Sequence, residues 1–363
     1  MPATVLLLSA SMGGGHDGVA KEMARRFDAA GARPVVVDFM RAFPRPLAYA
    51  WRESYALQLR WRPESYERSY RLFYQRPQLW ARFVRLERAL AGRRTLRWID
   101  EHQPDAIVST YNFAALVLGK LREEGRVDVP LVNFLTDYGV HPRATHPAID
   151  LNLTVHEVAA EDCRRLTTRE VVACGPVVRP EFAAAAAHRA AARAELGCGP
   201  DDKIVLVSSG SWGVGHDLED TIAALHHSGR FTVVTATGRD DRLRSKLQRR
   251  GLGIALGWTD AMERVIAAAD VVVENAGGLT AFEAFAAGVP IVSYKTIPGH
   301  GRDNLATMLR AAVTTSPQTE LELIEAVTAL CTDGPTRAQQ IAAASRSFVE
   351  DPTSRVLGLV RPN

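Results

Sequence analysis

Apolar residues along this chain gather in short continuous runs, and between those runs they recur at helical spacing, the alternation expected of parallel sheets covered by helices. The first run covers residues 4–9. A glycine turn occupies 11–15, helical spacing holds from 19 to 30, and a second apolar run follows at 34–37, which together predict a β-α-β unit. Residues 106–109, 131–134, 151–155 and 171–173 continue the series as buried strands, and one parallel sheet accounts for them all. After the step Gly175-Pro-Val-Val-Arg-Pro180 an alanine-rich helix is expected over 183–196. A second series of strands then starts at 204–208 and runs through 231–235, 254–256, 271–273 and 291–293. The pattern restarts as a second Rossmann-like domain would. The expected fold class is therefore α/β, with one Rossmann-like domain over 1–178 and another over 179–340. The Gly/Pro step near residue 175 is the expected hinge, with the active site in a cleft beside it. Residues 341–363 are expected to form a helix that returns to the first domain.

Composition changes this picture in one place. With 363 residues, 47% hydrophobic and 23% charged, the chain reads as a soluble two-domain protein. The apolar start is cut short by Ser9 and the glycines after Met12, so neither a signal peptide nor a membrane span is expected, and no later run reaches spanning length. Cys163, Cys174, Cys198 and Cys331 have no metal-site spacing and read as reduced packing residues in a cytoplasmic protein. The net charge of +3 conceals an asymmetry: residues 41–98 hold fourteen arginines and no lysine against Glu53, Glu64, Glu67 and Glu87, interleaved with Trp51, Trp61, Trp80 and Trp98. Three readings stand. The segment lies against an anionic membrane surface, which makes the protein peripheral on the inner face of the cell membrane; it binds RNA, the less favoured partner; or it is a set of arginine-coated helices whose aromatic rings face the core.

The most informative stretch is Asn275-Ala-Gly-Gly-Leu-Thr-Ala-Phe-Glu283, which leads from an apolar strand into a helical run. Gly277 and Gly278 let backbone amides approach a diphosphate, and a helix start at Leu279 and Thr280 supplies partial positive charge without a metal. Glu283, about two turns in, would take both hydroxyls of a ribose. The plain alternative is a tight turn followed by a solvated carboxylate.

Several marks, in order, carry a resemblance over nearly the whole length. They are Gly13-Gly-Gly-His16 followed by a helix; Thr136-Asp137-Tyr138 with His141 and Asp150; the Gly175 to Phe182 junction; Gly238-Arg239; Gly257-Trp258; the 277–283 segment; and Pro298-Gly-His300 leading to Asn304. With these the chain resembles GT-B glycosyltransferases, and more narrowly the monogalactosyldiacylglycerol synthase and processive diacylglycerol glucosyltransferase family, relatives of the peptidoglycan N-acetylglucosaminyltransferase. The resemblance implies two Rossmann-like domains facing across a cleft and transfer of a hexose, with inversion, from a UDP-sugar to a hydroxyl of a lipid such as diacylglycerol. It departs from the family at Ala144, where an aromatic residue is usual.

On that reading His16 is the base, since imidazole titrates near neutral pH and the loop turns its ring into the cleft; the alternative is a histidine that caps a helix. Gly14, Gly15, Asp137 and His141 would line the acceptor side, or the last two would orient His16 or form a buried supporting pair. The diphosphate would rest on the amides of 277–280 and on the loop around Gly210, Ser211 and Gly215. No Asp-x-Asp motif suggests a metal, so no cofactor is expected and the UDP-sugar is a substrate. Trp258, with Arg239 and Thr259 beside it, would bound the uracil, unless it is a core residue. The resemblance implies that His300 and Asn304 read the hydroxyls of the donor sugar. Other functions remain on the same residues: glycosylation of a soluble metabolite, a UDP-sugar 2-epimerase, or a non-catalytic nucleotide-sugar sensor.

Overall fold

The computed structural model describes residues 2–208, 210 and 217–360, apart from the side chains of residues 60, 61 and 77. Strands β1 (Thr4–Ser9), β2 (Arg33–Asp38), β3 (Ala106–Ser109), β4 (Leu131–Leu135), β5 (Leu151–Thr154) and β6 (Glu170–Ala173) form one sheet in the order β2-β1-β3-β4-β5-β6. Strands β7 (Ile204–Ser208), β8 (Thr232–Ala236), β9 (Ile254–Leu256), β10 (Val271–Glu274) and β11 (Ile291–Ser293) form a second, ordered β11-β10-β7-β8-β9. Every pairing is parallel. The continuous apolar runs are explained by burial on both faces: Val5 to Leu8 and Ile204 to Leu206 are shut off from solvent, whereas edge strand β2 is partly exposed. In each sheet the strand order reverses beside the first strand, between β1 and β3 and between β7 and β10. Open α/β sheets bind ligands outside the carboxyl ends of the strands at such reversals. The two-sheet α/β architecture expected from the sequence is therefore present.

Contact density divides the chain into two units. One comprises Met1–Leu57, Glu64–Val177 and Ser347–Asn363; the other comprises Val178–Arg346 with Gln58–Pro63. In the first, residues after 346 fasten onto the end of β6. The amides of Val349 and Glu350 both donate to the Cys174 carbonyl, at 3.1 and 3.0 Å, and Tyr138 Oη lies 3.1 Å from Ser347 Oγ. Gly175 has φ +111°, and a Cβ there would sit 2.3 Å from the Ser347 carbonyl oxygen, so the close approach requires glycine.

One expectation is corrected here. The alanine-rich stretch 183–196 is not one helix: it divides into Pro180–Ala183, a 3-10 turn Ala185–His188 and Arg189–Glu195. Tertiary anchors override alanine's helix propensity here. Arg189 donates to the carbonyls of Ala267 and Ala269, and the buried Arg193 pairs with Asp270 at 2.7 Å. The arginine-rich segment, left open between three readings, forms helices Arg45–Trp61, Pro63–Gln75 and Pro77–His102, the prolines of the last two at their first turns. Trp80 and Trp98 are buried, as the reading with core-facing rings has them. Trp51, Phe73, Trp80, Phe83 and Phe113 pack edge to face or tilted in one aromatic mesh. What these helices expose is arginine together with Leu47, Tyr49, Leu57, Leu72, Leu79 and Leu86. No helix among the described residues is long and apolar enough to cross a membrane.

Within that helical layer Glu87 is buried, and neither carboxylate oxygen has a hydrogen-bond partner among the described residues. Burial holds its carboxyl well above the ordinary value of 4.5. A group whose pKa is raised by folding stabilises the fold fully below its unfolded value and loses that contribution as pH rises toward the folded one. Glu87→Met is therefore expected to raise unfolding free energy by about 1–3 kcal/mol near neutrality. The gain should widen as denaturant titrations move upward from pH 5; a variant no more stable than wild type at any pH would show that the carboxyl costs the fold nothing.

Candidate functional site

In the first unit the polar residues that end apolar strands converge at the β1/β3 reversal. Gly13, at φ +109°, turns the chain from β1 into helix Gly14–Ala29 and places His16 in its first turn, next to Gly15, where a Cβ would meet open space. His16 Nδ1 lies 2.6 Å from the Thr110 carbonyl oxygen and 3.2 Å from Thr136 Oγ1. A carbonyl only accepts, so Nδ1 carries the proton and Nε2 is left with its lone pair, the tautomer a general base requires. Thr110 Oγ1 donates back to the His16 carbonyl at 3.2 Å, the Ser9 hydroxyl donates to Asp17, and the Tyr111 ring stands edge-on to the imidazole at 5.1 Å. Asp137 follows Thr136 just past β4 and is half-buried. His141 is anchored separately: the Arg143 amide donates to its Nδ1, Nε2 lies 3.2 Å from the Asn112 side-chain amide, and Tyr74 packs on the ring at 4.3 Å.

In the second unit the reversal between β7 and β10 holds a cavity of about 10 Å³, room for roughly one water, lined by Ser208, Glu274, Asn275 and Lys295 among others. Glu274, buried at the end of β10, was not singled out by the sequence, although a carboxylate closing a run of valines is a visible signal. Its Oε2 accepts from the amides of Ala276, at 2.8 Å, and Gly277, while Ser293 Oγ bonds its other oxygen. Burial raises its pKa, partly offset by the bonds from Ser293, Gly277 and Ala276. The Gly277 amide is thus turned inward, toward Glu274. Gly277 has φ +64°, and the helix that follows is Leu279–Ala286 with Gly278 before it. The amides of Leu279 and Thr280 stand in its first turn, where an α-helix leaves N–H groups without internal partners.

Glu283 lies one turn into this helix, not two, because the helix begins only at Leu279. Burial pushes its carboxyl up to about 8, with Arg179 lowering and Glu263 raising it. Arg179 itself pairs with Glu263 at 2.8 Å. Asn304, almost wholly buried in helix His300–Arg310, donates from Nδ2 to the Ala276 carbonyl at 2.9 Å, so its amide shapes the glycine turn; His300 opens the same helix. Trp258 is no core residue, being 53% exposed, and the Arg239 guanidinium lies 4.6 Å over its ring. Thr259 Oγ1 accepts from the Ala261 amide ahead of helix Met262–Ala268. The Gly210 amide lies 3.4 Å from Ser208 Oγ. Ser211 and Gly215 lie outside the described residues.

Residues 16–178 match the monogalactosyldiacylglycerol (MGDG) synthase family, and residues 205–356 match the glycosyltransferase family 28 C-terminal domain. The processive diacylglycerol beta-glucosyltransferase of Bacillus subtilis (strain 168) is 25% identical over 347 residues, covering 92% of this chain and 88% of that protein. Among solved structures, MurG of Acinetobacter baumannii superposes with a TM-score of 0.59 at 15% identity, covering 99% of each chain. UGT89C1 of Arabidopsis thaliana, complexed with UDP-L-rhamnose, gives 0.65 at 12%, covering 99% of this chain and 100% of that one. The two parallel sheets, the two matched domains and these neighbours agree, and they identify the chain as a GT-B glycosyltransferase resembling the monogalactosyldiacylglycerol synthase and processive diacylglycerol glucosyltransferase family.

Proposed function

We propose that the protein transfers a hexose from a UDP-sugar to a hydroxyl of a lipid acceptor such as diacylglycerol, with inversion and without a metal ion, while bound peripherally to an anionic membrane face. The observation that carries this reading is the fixed imidazole of His16, its Nδ1 proton committed to the Thr110 carbonyl. Nε2 takes the proton of the acceptor hydroxyl as its oxygen attacks the anomeric carbon. The bond from that carbon to the diphosphate oxygen breaks on the opposite face, and one displacement of this kind inverts the configuration. The departing UDP carries its charge onto the amides at the start of helix Leu279–Ala286. Among the described residues no three His, Cys, Asp or Glu side chains gather as a metal site would require. Support for the acceptor comes from the relatives named for diacylglycerol, and support for the donor from the neighbour complexed with UDP-L-rhamnose. Exposed arginines and leucines on helices Arg45–Trp61, Pro63–Gln75 and Pro77–His102 are the surface offered to anionic lipid.

The test is incubation with a panel of UDP-sugars, diacylglycerol in vesicles with and without anionic lipid, and excess EDTA. A glycolipid of inverted anomeric configuration, formed despite EDTA and suppressed by salt, is the expected product. Transfer to soluble alcohols but never to vesicle lipid would remove the membrane part of the proposal. Absence of any transfer would remove the whole.

Glu283 gives this reading a pH dependence. Two ribose hydroxyls donate into an ionised carboxylate, and with a pKa of about 8 only a minor fraction is ionised at pH 7. UDP affinity is expected to rise roughly five- to tenfold between pH 7 and 8.5, in proportion to that fraction, and the slope should vanish in Glu283→Gln. A wild-type affinity that stays level over that range would mean that the ribose does not use the ionised group.

A further inference from the structure

Three carbonyls and two amides of the turn at 274–277 are bonded within the protein. The Glu274 carbonyl accepts from the Tyr294 amide at 2.9 Å, the Asn275 carbonyl from the Ile297 amide at 2.8 Å, and the Ala276 carbonyl from Asn304 Nδ2 at 2.9 Å. The amides of Ala276 and Gly277 both end on a single oxygen of Glu274. Its other oxygen meets Ser293 Oγ on β11, which lies 2.9 Å from Thr314 Oγ1, and that hydroxyl donates onward to the Thr315 carbonyl at 3.2 Å. These groups sit in a region where Glu274, Ser293 and Thr314 are all at most 5% exposed. The turn is therefore tied at five points before any ligand arrives, and the carboxyl is the only member that ties two of them while also reaching the neighbouring strand.

From this network we infer that Glu274 is a positioning residue for the donor diphosphate: it holds the 276–277 turn so that the amides at the start of helix Leu279–Ala286 are aimed outward in advance. The inference rests on the donor site proposed above and adds to it a group that never touches the ligand. Preformed donors cost no reorganisation when charge develops on the leaving oxygen, which is where such preorganisation acts. Ser293 Oγ donates to the carboxyl oxygen that the two amides leave free, so the side chain is held from both sides. Glutamine keeps an oxygen to accept from the two amides, and its NH₂ meets Ser293 Oγ, a hydroxyl that can turn to accept while donating to Thr314 Oγ1.

The experiment is titration calorimetry of UDP, with KM and kcat for the UDP-sugar, on wild type, Glu274→Ala, Glu274→Gln and Ser293→Ala, each checked by thermal melting. Glu274→Ala is expected to weaken UDP binding by about tenfold to a hundredfold, the loss of one to two buried hydrogen bonds, with KM rising accordingly. Glu274→Gln should stay within about threefold of wild type and Ser293→Ala should fall between the two. A folded Glu274→Ala with wild-type UDP affinity overturns the inference, as does a Glu274→Gln as damaged as the alanine variant. If Glu274→Ala does not fold, the other two variants decide: Ser293→Ala matching wild type in both KM and affinity overturns it. No heat from wild type itself would instead overturn the donor site, and the role of Glu274 with it.

Discussion

His16→Ala is expected to keep UDP affinity within about threefold of wild type and to lower kcat by about 10²- to 10⁴-fold, the range a positioned general base supplies. The split follows from the separation of tasks. His16 is built into the first unit by Gly13, Thr110 and Thr136, while the amides proposed to hold UDP belong to the second. Removing the ring takes away Nε2 without touching the donor helix. Turnover retained in His16→Ala would remove this histidine from the chemistry, and the first unit would then need another proton acceptor.

Gly277→Ala is expected to destabilise the protein by about 2–4 kcal/mol, combining left-handed backbone strain with overpacking, and to weaken UDP binding at least about tenfold through displacement of the turn. The backbone is at φ +64°, and a Cβ would lie 2.7 Å from Met308 Sδ and 2.8 Å from Asn304 Cβ. The methionine thioether can swing aside. Asn304 cannot retreat as cheaply, because its Cβ is close to the helix backbone and its amide is bonded to the Ala276 carbonyl. Gly278→Ala is the matched control: no atom lies within 4 Å of a Cβ there, and its φ of −101° is open to any residue. Denaturant unfolding of the two variants with UDP calorimetry separates the effects. Equal stability of Gly277→Ala and wild type would mean that helix His300–Arg310 yields more readily than its packing indicates.

Strand positions were legible because a strand buried on both faces must be apolar throughout; β1, β3, β7, β9 and β11 run as the sequence reading has them. The restart after residue 180 was legible for the same reason. Helix 183–196 was misread because alanine content reports local preference, whereas Arg189 and Arg193 are held by carbonyls and a carboxylate some 75–80 residues away. Composition left the tryptophans of the basic segment open between a lipid surface, RNA and the core; Trp80 and Trp98 are buried, and only helix packing decides which side of an amphipathic ring layer faces inward. At the donor side the sequence showed the glycines and Glu283 but not that Glu274 takes the amides of Ala276 and Gly277, because its carboxyl is held by Ser293, which comes from a later strand.

The fastening of residues after 346 onto Cys174 and Gly175 has a consequence for biosynthesis. On the ribosome, the unit translated first still lacks Val349, Glu350 and the Asp351 partner of Arg26 after all of Val178–Arg346 has been made. Its closing seam therefore waits for the last stretch of the chain, although all six strands of its sheet are translated by residue 173.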